Sequence, residues 1–178
     1  MTLMKSALAV CLAATIAGPA LSAGSGSATP KPKTVVCTDG KVFSESKGKC
    51  VVQQDSALTD EDYFKTLRSL AYAGENEAAQ ELLQLLNDPN SDLALTYWGF
   101  THRRLGDVET GMAYYNKALE QNPDNILARS YMGQAFVEAG RLDLARTQLH
   151  EIRTRGGENT WAEASLSEAI KTGTTFNY

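Results

Sequence analysis

The sequence contains few of the residues that metal-dependent and thiol-dependent chemistry requires. Its 178 residues include three cysteines and two histidines, and no cysteines have the Cys-x-x-Cys spacing of thiol-exchange proteins. The histidines, His102 and His150, lie far from the cysteines in segments with helical periodicity, whereas a structural zinc site needs four ligands close together. We therefore expect no metal site and no cofactor.

Catalytic motifs and a basic surface are also missing. The sequence contains no glycine-rich phosphate loop, no nucleophile elbow and no set of nucleophile, base and acid in a known pattern. Lysine and arginine total 17 against 21 aspartate and glutamate residues, a net charge of −4. Nucleic-acid binding requires a clustered basic surface, which this composition does not favour. We expect no catalytic residues and no nucleic-acid partner.

The apolar stretch at the start of the sequence is shorter than a membrane span. Residues 1–23, MTLMKSALAVCLAATIAGPALSA, carry one cation and then an apolar run of about fifteen residues that ends in small residues, as in a secretory signal peptide. A membrane anchor would need roughly 20 apolar residues. A lipoprotein processed at Cys11 would need a small residue where Val10 stands. We expect cleavage near Ser22 or Ala23, export, and no stable membrane span afterwards.

Two short regions follow the predicted signal peptide. Residues 24–33 are rich in glycine, serine and proline, which predicts a disordered linker. Residues 34–52 alternate short β-prone runs with turn signals, which predicts a small β-like segment. In an oxidising compartment Cys37 and Cys50 would form a disulfide that closes a loop of about 14 residues and stabilises the segment by roughly 3 kcal/mol. A metal site is the competing use of these cysteines. The segment could pack on the first helices or stay separate.

From Thr59 onward the hydrophobic period changes to about 3.6 residues, which is typical of amphipathic helices. Glycine and proline divide this region into segments of helical length. The predicted helices cover residues 59–72, 75–87, 92–105, 107–121, 124–139, 141–154 and 159–171. The sequence therefore predicts an all-α domain over residues 59–172.

Two consecutive stretches of this domain repeat at an offset of 34 residues. Gly99 aligns with Gly133 and Gly111 with Ala145, while the turn at Gly106 aligns with a second glycine turn. Small residues at such positions allow two helices to approach closely. A helical pair of this period resembles the tetratricopeptide repeat. Further matching residues are Leu95, Trp98, His102, Tyr115, Ala118 and Pro123 in one unit and Met132, Phe136, Leu149 and Ile152 in the next.

This resemblance implies a right-handed α-solenoid of about three helix pairs, preceded by the small disulfide-closed segment. The last predicted helix, with Trp161, Leu166 and Ile170 on one side, would be the capping helix that such arrays need. His102 stands where the family places an aromatic packing residue, so we expect it in the core and not as a catalytic base.

In the tetratricopeptide repeat family, the first helices of successive units line a concave groove that binds proteins or peptides. The arginines and aromatic residues carried over to this groove would suit an extended client with acidic groups and apolar anchors. The alternative is that the arginines solvate an exposed face and the aromatic residues complete the core. The residues placed in the groove by position are Phe64, Arg68, Tyr72, Thr96, Phe100, Arg103, Arg104, Ser130 and Gln134.

Three classes of function remain open. The resemblance favours an exported protein–protein interaction module that binds a client in the cell envelope. A permanent structural subunit of a larger envelope assembly is the alternative, and an enzyme is the least favoured class. The chain also looks similar to exported tetratricopeptide repeat proteins of Gram-negative bacteria, which implies the periplasm as its location.

Overall fold

The structure, a computed structural model, describes residues 35–37 and 39–175. Within these residues the chain forms two short strands and seven helices. The expected signal peptide (1–23) and linker (24–33) lie outside the described residues. Among the helices of the described residues, none has the length and hydropathy of a membrane span. The elements are β1 (Val42–Ser44), β2 (Lys49–Val51), α1 (Asp60–Ala73), α2 (Asn76–Leu83), α3 (Asp92–Arg104), α4 (Val108–Gln121), α5 (Ile126–Glu138), α6 (Leu142–Thr154) and α7 (Trp161–Thr172).

All seven predicted helices are present, and six of them lie close to their expected bounds. The exception is α2, which ends at Leu83 instead of residue 87. After α2 the chain leaves the helix, and Asn87 donates hydrogen bonds to Asp60 from its backbone amide (3.3 Å) and its side chain (2.9 Å). These bonds draw the connection toward the start of α1, so the second helix of this pair is short.

Capping side chains define where the first helix of each pair begins. Thr59, Ser91, Asn125 and Thr160 precede α1, α3, α5 and α7, and each side chain accepts a hydrogen bond from a backbone amide in the first turn. A glycine with positive φ follows the first helix of each pair, where the left-handed conformation favours glycine. These glycines are Gly74 (φ +90°), Gly106 (φ +90°) and Gly140 (φ +71°). The sequence thus specifies a repeated helix–turn–helix unit.

Small residues bring α3 and α4 together as the repeat pattern predicts. A Cβ atom at Gly99 would lie 2.9 Å from the carbonyl oxygen of Gly111, and a Cβ at Gly111 would lie 2.8 Å from that of Gly99. Gly133 has a different neighbour, because the atoms nearest to a Cβ there belong to Leu166 of α7, the first at 2.5 Å. The glycine of the later unit therefore makes room for the capping helix.

The seven helices form an α-solenoid of three pairs and a capping helix, which confirms the predicted fold class. The first helices α1, α3, α5 and α7 contact one another in that order, and each second helix packs against its own first helix and the next one. One large buried cluster extends from α1 to α5, with Leu67, Leu83, Phe100 and Tyr115 among its fully buried side chains, and a second cluster lies where α5, α6 and α7 meet.

The segment before the helices is a disulfide-closed hairpin. β1 and β2 pair antiparallel, with Val42 opposite Val51. Cys37 and Cys50 form the predicted disulfide, with 5.8 Å between their Cα atoms. Thr34 and Thr38 of the predicted segment 34–52 lie outside the described residues.

The hairpin packs on α1 and covers the start of the solenoid. The backbone amide of Phe43 donates to Thr66 Oγ1 (3.0 Å), and the amide of Glu45 donates to Asp62 Oδ1 (2.9 Å). Val42 is fully buried and joins the core of the helical pairs. Of the two arrangements left open by the sequence, the structure shows the packed one.

Candidate protein-binding face

Aromatic rings form a continuous row across the first helices. Tyr72 of α1 meets Phe100 of α3 edge to face at 5.9 Å between ring centroids. Phe100 meets Tyr131 of α5 at 4.8 Å, and Tyr131 meets Trp161 of α7 at 6.0 Å. Such geometries contribute to stability beyond the area they bury. Together with Phe64 of α1 and Tyr97 of α3, these residues are called the aromatic row below.

Hydrogen bonding and further ring contacts tie the row together. The hydroxyl groups of Tyr72 and Tyr131 lie 2.6 Å apart, which links α1 directly to α5. Tyr97 lies between Phe64 (6.5 Å) and Tyr131 (6.4 Å). Burial raises the pKa of Tyr97, so this residue stays neutral at physiological pH.

The aromatic row is buried at its centre and accessible at its borders. Tyr97, Phe100 and Tyr131 are almost fully buried. Phe64 and Tyr72 are half-buried, and Trp161 is 43% exposed. The central rings therefore complete the core, while the outer rings contribute to the protein surface.

The three predicted groove arginines occupy two different environments. Arg68 and Arg104 are exposed on α1 and at the end of α3. The side chain of Arg103 is only 3% exposed, and its guanidinium pairs with Glu138 of α5 at 2.6 Å. It also lies 5.6 Å from the centre of the Phe100 ring. Arg103 therefore joins α3 to α5 and presents little surface to a ligand.

Burial and neighbouring charged groups set the pKa values, and so the charge states, of Arg103, Tyr115 and Glu138. Burial raises the pKa of Tyr115 to about 12, although the Arg103 charge opposes this shift. Burial would lower the pKa of Arg103, but Tyr115 and Glu138 outweigh that effect and raise it. Partial burial would raise the pKa of Glu138, yet hydrogen bonds from Arg103 and Thr175 lower it. At neutral pH the buried guanidinium therefore faces a carboxylate and a neutral phenol.

Three residues predicted for the groove are buried between neighbouring first helices. The Ser130 hydroxyl donates to the carbonyl oxygen of Ala162 (2.9 Å), and the Gln134 amide donates to Ser165 Oγ (3.0 Å). Thr96 Oγ1 accepts from the Asn125 side chain at 3.0 Å.

The placement of Thr96, Ser130 and Gln134 in the groove is corrected accordingly, because the structure buries all three almost completely. Short polar side chains at these positions reach the next helix, so they hold the array together. Position within the repeat cannot distinguish that role from groove lining.

His102 packs between aromatic rings at the edge of the pair and is not a fully buried core residue, since its side chain is 23% exposed. Its ring stacks on Tyr114 at 5.4 Å and lies 6.0 Å from Trp98, and its Nδ1 is 3.3 Å from Asp107 Oδ2. His150 is exposed on α6. Among the described residues no cluster of histidine, cysteine, aspartate and glutamate could hold a metal ion.

Three members of the aromatic row were not predicted from the sequence. Tyr97 and Tyr131 fall outside the groove positions taken from the family, and Trp161 was assigned only to the cap. Tyr97 could have been predicted from the sequence, because Tyr97 and Phe100 are three residues apart on one helix and therefore lie on the same side of it. The contact of Tyr131 with Trp161 depends on how α7 packs, which no local pattern shows.

The model of the tetratricopeptide repeat family matches residues 103–164, from the end of α3 to the start of α7. No curated protein matches the chain. Tetratricopeptide repeats generally act as protein–protein interaction modules and are typically non-enzymatic scaffolds. Together with the helical pairs described above, the match supports a tetratricopeptide repeat protein.

Proposed function

We propose that the chain is an exported interaction module that binds a client protein or peptide on the face of its first helices, in the cell envelope of a Gram-negative bacterium. The observation that carries this proposal is the aromatic row, whose accessible outer rings lie on the same helices as the exposed Arg68 and Arg104. The client would be an extended segment with apolar side chains and carboxylates.

The chemistry of these side chains supports protein recognition. Aromatic and arginine side chains carry much of the binding energy in protein interfaces. A guanidinium can also bind a carboxylate through two parallel hydrogen bonds. The chain has a net charge of −4, so exposed arginines beside aromatic rings form a local cationic surface on an acidic protein. An acidic client would be attracted to this face and repelled by much of the remaining surface.

Residues outside the face support the proposed location. The first 23 residues have the pattern of a signal peptide. The Cys37–Cys50 disulfide agrees with an oxidising compartment, where such bonds form and persist. Fractionation of cells and mass spectrometry of the purified protein would test both points. We expect the protein in the periplasmic fraction with its new N-terminus near Ser22 or Ala23, and recovery of uncleaved protein from the cytoplasm would contradict export.

The experiment that tests client binding is affinity capture from envelope extract after mild cross-linking. We compare the wild-type protein with Arg68→Glu/Arg104→Glu, which reverses two exposed charges on the first helices. Lys117→Glu/Arg146→Glu is the matched control, because it makes the same charge change at exposed positions on the second helices α4 and α6. Circular dichroism verifies that all three proteins are equally helical. Arg103 is left unchanged, because a second carboxylate beside Glu138 would destabilise the fold.

We expect the first-helix variant to capture the client at least about tenfold less well, while the control variant captures it normally. Equal capture by all three proteins would place the interface elsewhere. A partner that co-purifies in fixed stoichiometry and resists high salt would instead indicate the structural-subunit function, because obligate interfaces are larger and more apolar.

A further inference from the structure

A cleft lies between the disulfide-closed hairpin and the first pair of helices, and we call it the hairpin cleft. Its cavity volume is about 300 Å³. The buried part of its lining is apolar and includes Cys37, Leu70 of α1 and Leu82 of α2. Val36 and Ala78 also line it and remain accessible at the surface. A cavity of this volume is at the lower end of ligand pockets, and it is large enough for one long side chain.

The hairpin side of the cleft is held in place by contacts outside it. The disulfide joins Cys37 to Cys50. The hydroxyl of Tyr63 on α1 donates a 2.7 Å hydrogen bond to the carbonyl oxygen of Gln53, which lines the cleft. The cleft is therefore formed before anything binds, and a ligand has little of the protein left to order.

Carboxylates predominate among the charged groups of the cleft. Glu75 and Glu81 line it from α2 and are exposed. Neither forms an ion pair with another side chain among the described residues. Asp39 and Lys41 line the cleft as well, so its carboxylates outnumber its ammonium group three to one. The cleft thus combines an apolar interior with a negatively charged border.

Exposed valines extend the apolar surface beside the cleft. Among the described residues, Val35, Val36 and Val52 are 44%, 42% and 57% exposed. Val36 lines the cleft, and the other two are next in sequence to lining residues. Exposed apolar groups that are bordered by polar residues mark protein interaction sites. The surface around the cleft therefore suits a partner segment with apolar side chains.

We propose that the hairpin cleft binds an arginine or lysine side chain of a partner protein, flanked by apolar residues of the same partner segment. Such a side chain buries its aliphatic stem along apolar surface while its charged end stays near water. The stem contacts Leu70, Ala78 and Leu82, and the charged end pairs with Glu75 and Glu81. Hydrogen bonds between ionised groups are roughly twice as strong as neutral ones.

The hairpin cleft and the aromatic row lie on different sides of α1. Leu70 lines the cleft, whereas Tyr72 belongs to the row, and two residues along an α-helix are about 200° apart around its axis. Asp62 and Thr66, which accept hydrogen bonds from the hairpin, lie four and eight residues before Leu70 and so on its side. The proposal is therefore a second interaction surface and does not depend on client binding at the row.

The first test titrates a peptide probe into the full chain. The probe is TVRVT with both ends capped, and the control peptide carries citrulline, which is neutral and similar in shape, in place of arginine. Nuclear magnetic resonance follows the backbone amides. We expect shifts at Val36, Gln53, Ala78 and Leu82, and at least about tenfold tighter binding of the arginine peptide than of the citrulline peptide.

The second test changes the cleft. Glu75→Gln/Glu81→Gln removes two carboxylates, and Glu77→Gln/Glu109→Gln makes the same charge change at exposed positions outside the cleft lining. We expect the arginine peptide to bind at least about tenfold more weakly to the first variant and within about twofold of wild type to the second. Ala78→Leu should also weaken binding, because its longer side chain fills the cleft without changing charge. Circular dichroism melts verify that each variant is folded.

Equal binding of the two peptides, or equal binding by the two glutamine variants, would overturn the proposal. Shifts centred on Phe64 and Tyr72 would overturn it too, because the peptide would then bind the aromatic row. Shifts at the cleft that grow with protein concentration without peptide would make a second copy the occupant. Contacts from residues 24–33 to the cleft would make the chain itself the occupant, and either result would overturn the proposed partner.

These tests leave the exposed arginines of the first helices unchanged, so the two proposals can fail separately. If the peptide results are negative while Arg68→Glu/Arg104→Glu still loses capture, the chain has one binding face. If the cleft binds the arginine peptide and no client is captured through the first helices, the hairpin end is the binding surface.

Discussion

The two ends of the solenoid are covered in different ways. At the start, the hairpin is held by a disulfide and by backbone amides that donate to Asp62 and Thr66 of α1. At the other end, α7 inserts the fully buried Leu166 against Gly133 of α5. Neutral hydrogen bonds from Ser130 and Gln134 complete that contact.

This difference follows from how much apolar surface each cap can bury. The helix α7 has 12 residues and four buried positions, so it can stabilise its own contact by burial. The two strands have three residues each, and so small a structure needs a covalent link or strong polar contacts. Both caps serve the same need, because the terminal units of a helical repeat array otherwise expose an apolar face.

The largest effect is expected from the apolar cap. Leu166→Ala should lower the free energy of unfolding by about 2 to 5 kcal/mol, because it removes buried methyl groups and leaves a cavity. Gly133→Ala should also destabilise, by about 1 to 3 kcal/mol, since its new Cβ would overlap the Leu166 side chain. Denaturant titration of both single variants and the double variant measures these effects.

The double variant tests the contact itself. If Leu166 occupies the space that Gly133 leaves, then Gly133→Ala should be tolerated once the leucine is shortened. The double variant should then lose less unfolding free energy than the sum of the losses in the two single variants. Strictly additive costs would mean that the two residues destabilise the protein independently. The glycine would then have a backbone role and not a packing role.

The next effect concerns the disulfide. Cys37→Ser/Cys50→Ser should destabilise the hairpin by roughly 3 kcal/mol, because the open chain regains the entropy of a loop of about 14 residues. Amide hydrogen exchange should show faster exchange in β1 and β2 and at the contacts with α1. Protection in α5, α6 and α7 should stay as in the wild type. Equal loss of protection at both ends would show that the hairpin supports the whole array and not only its own end.

A smaller effect is expected from acid at the hairpin end. Burial would raise the pKa of Asp62, but hydrogen bonds from the Glu45 and Thr59 amides outweigh it and lower the pKa. Stability from a carboxylate with a lowered pKa is present above the unfolded value, about 3.9, and is lost as the pH falls through the folded value. Asp62→Asn should cost about 1 to 3 kcal/mol at neutral pH and should reduce the loss of stability between about pH 5 and pH 2.

The C-terminal cap serves as the comparison for this acid effect. The side chains that bury it, Ser130, Gln134 and Leu166, do not titrate, and Glu163 of α7, whose pKa the hydrogen bond from Arg153 lowers, makes an exposed ion pair. Hydrogen exchange measured at both ends across the same pH range separates an acid effect at the hairpin from an acid effect on the whole molecule. Protection at β1 should decrease in acid before protection at α7 does. A decrease of equal size at both ends would assign the acid effect to the whole molecule.

The fold was largely predictable because its determinants are local. Hydrophobic periodicity, capping residues and turn glycines lie within each helix or beside it, and they predicted seven helices and one repeat period. The close approach of α3 and α4 was also readable, since Gly99 and Gly111 face each other in the structure. The early end of α2 could not be predicted from the sequence, because it depends on the hydrogen bonds that Asn87 donates to Asp60, which is distant in sequence.

The candidate face was less predictable than the fold. Alignment with the family gives the helix and the position of a residue but not the neighbour that its side chain reaches. Arg103 and Arg104 are adjacent in sequence and were treated alike, yet one is buried against Glu138 and the other is exposed. The difference depends on the packing of α5 on α3, which is set by contacts along the whole array.

The smallest effect should come from removing an exposed ion pair at either end of the solenoid. Lys65 of α1 lies 3.2 Å from Glu45 of the hairpin, and Arg153 lies 2.7 Å from Glu163 of α7. Solvent and salt screen such pairs, so Glu45→Gln and Arg153→Gln should each change the melting temperature by no more than about 2 °C. The changes should shrink further at about 1 M salt.

Equal, small changes would show that surface charge does not distinguish the two caps and that the distinction lies in what each cap buries. A large change for Glu45→Gln alone, comparable with that of Asp62→Asn, would instead mean that the hairpin is held by exposed charge. The hairpin would then loosen with added salt at neutral pH, whereas burial of Leu166 would keep α7 in place because salt does not weaken apolar contacts.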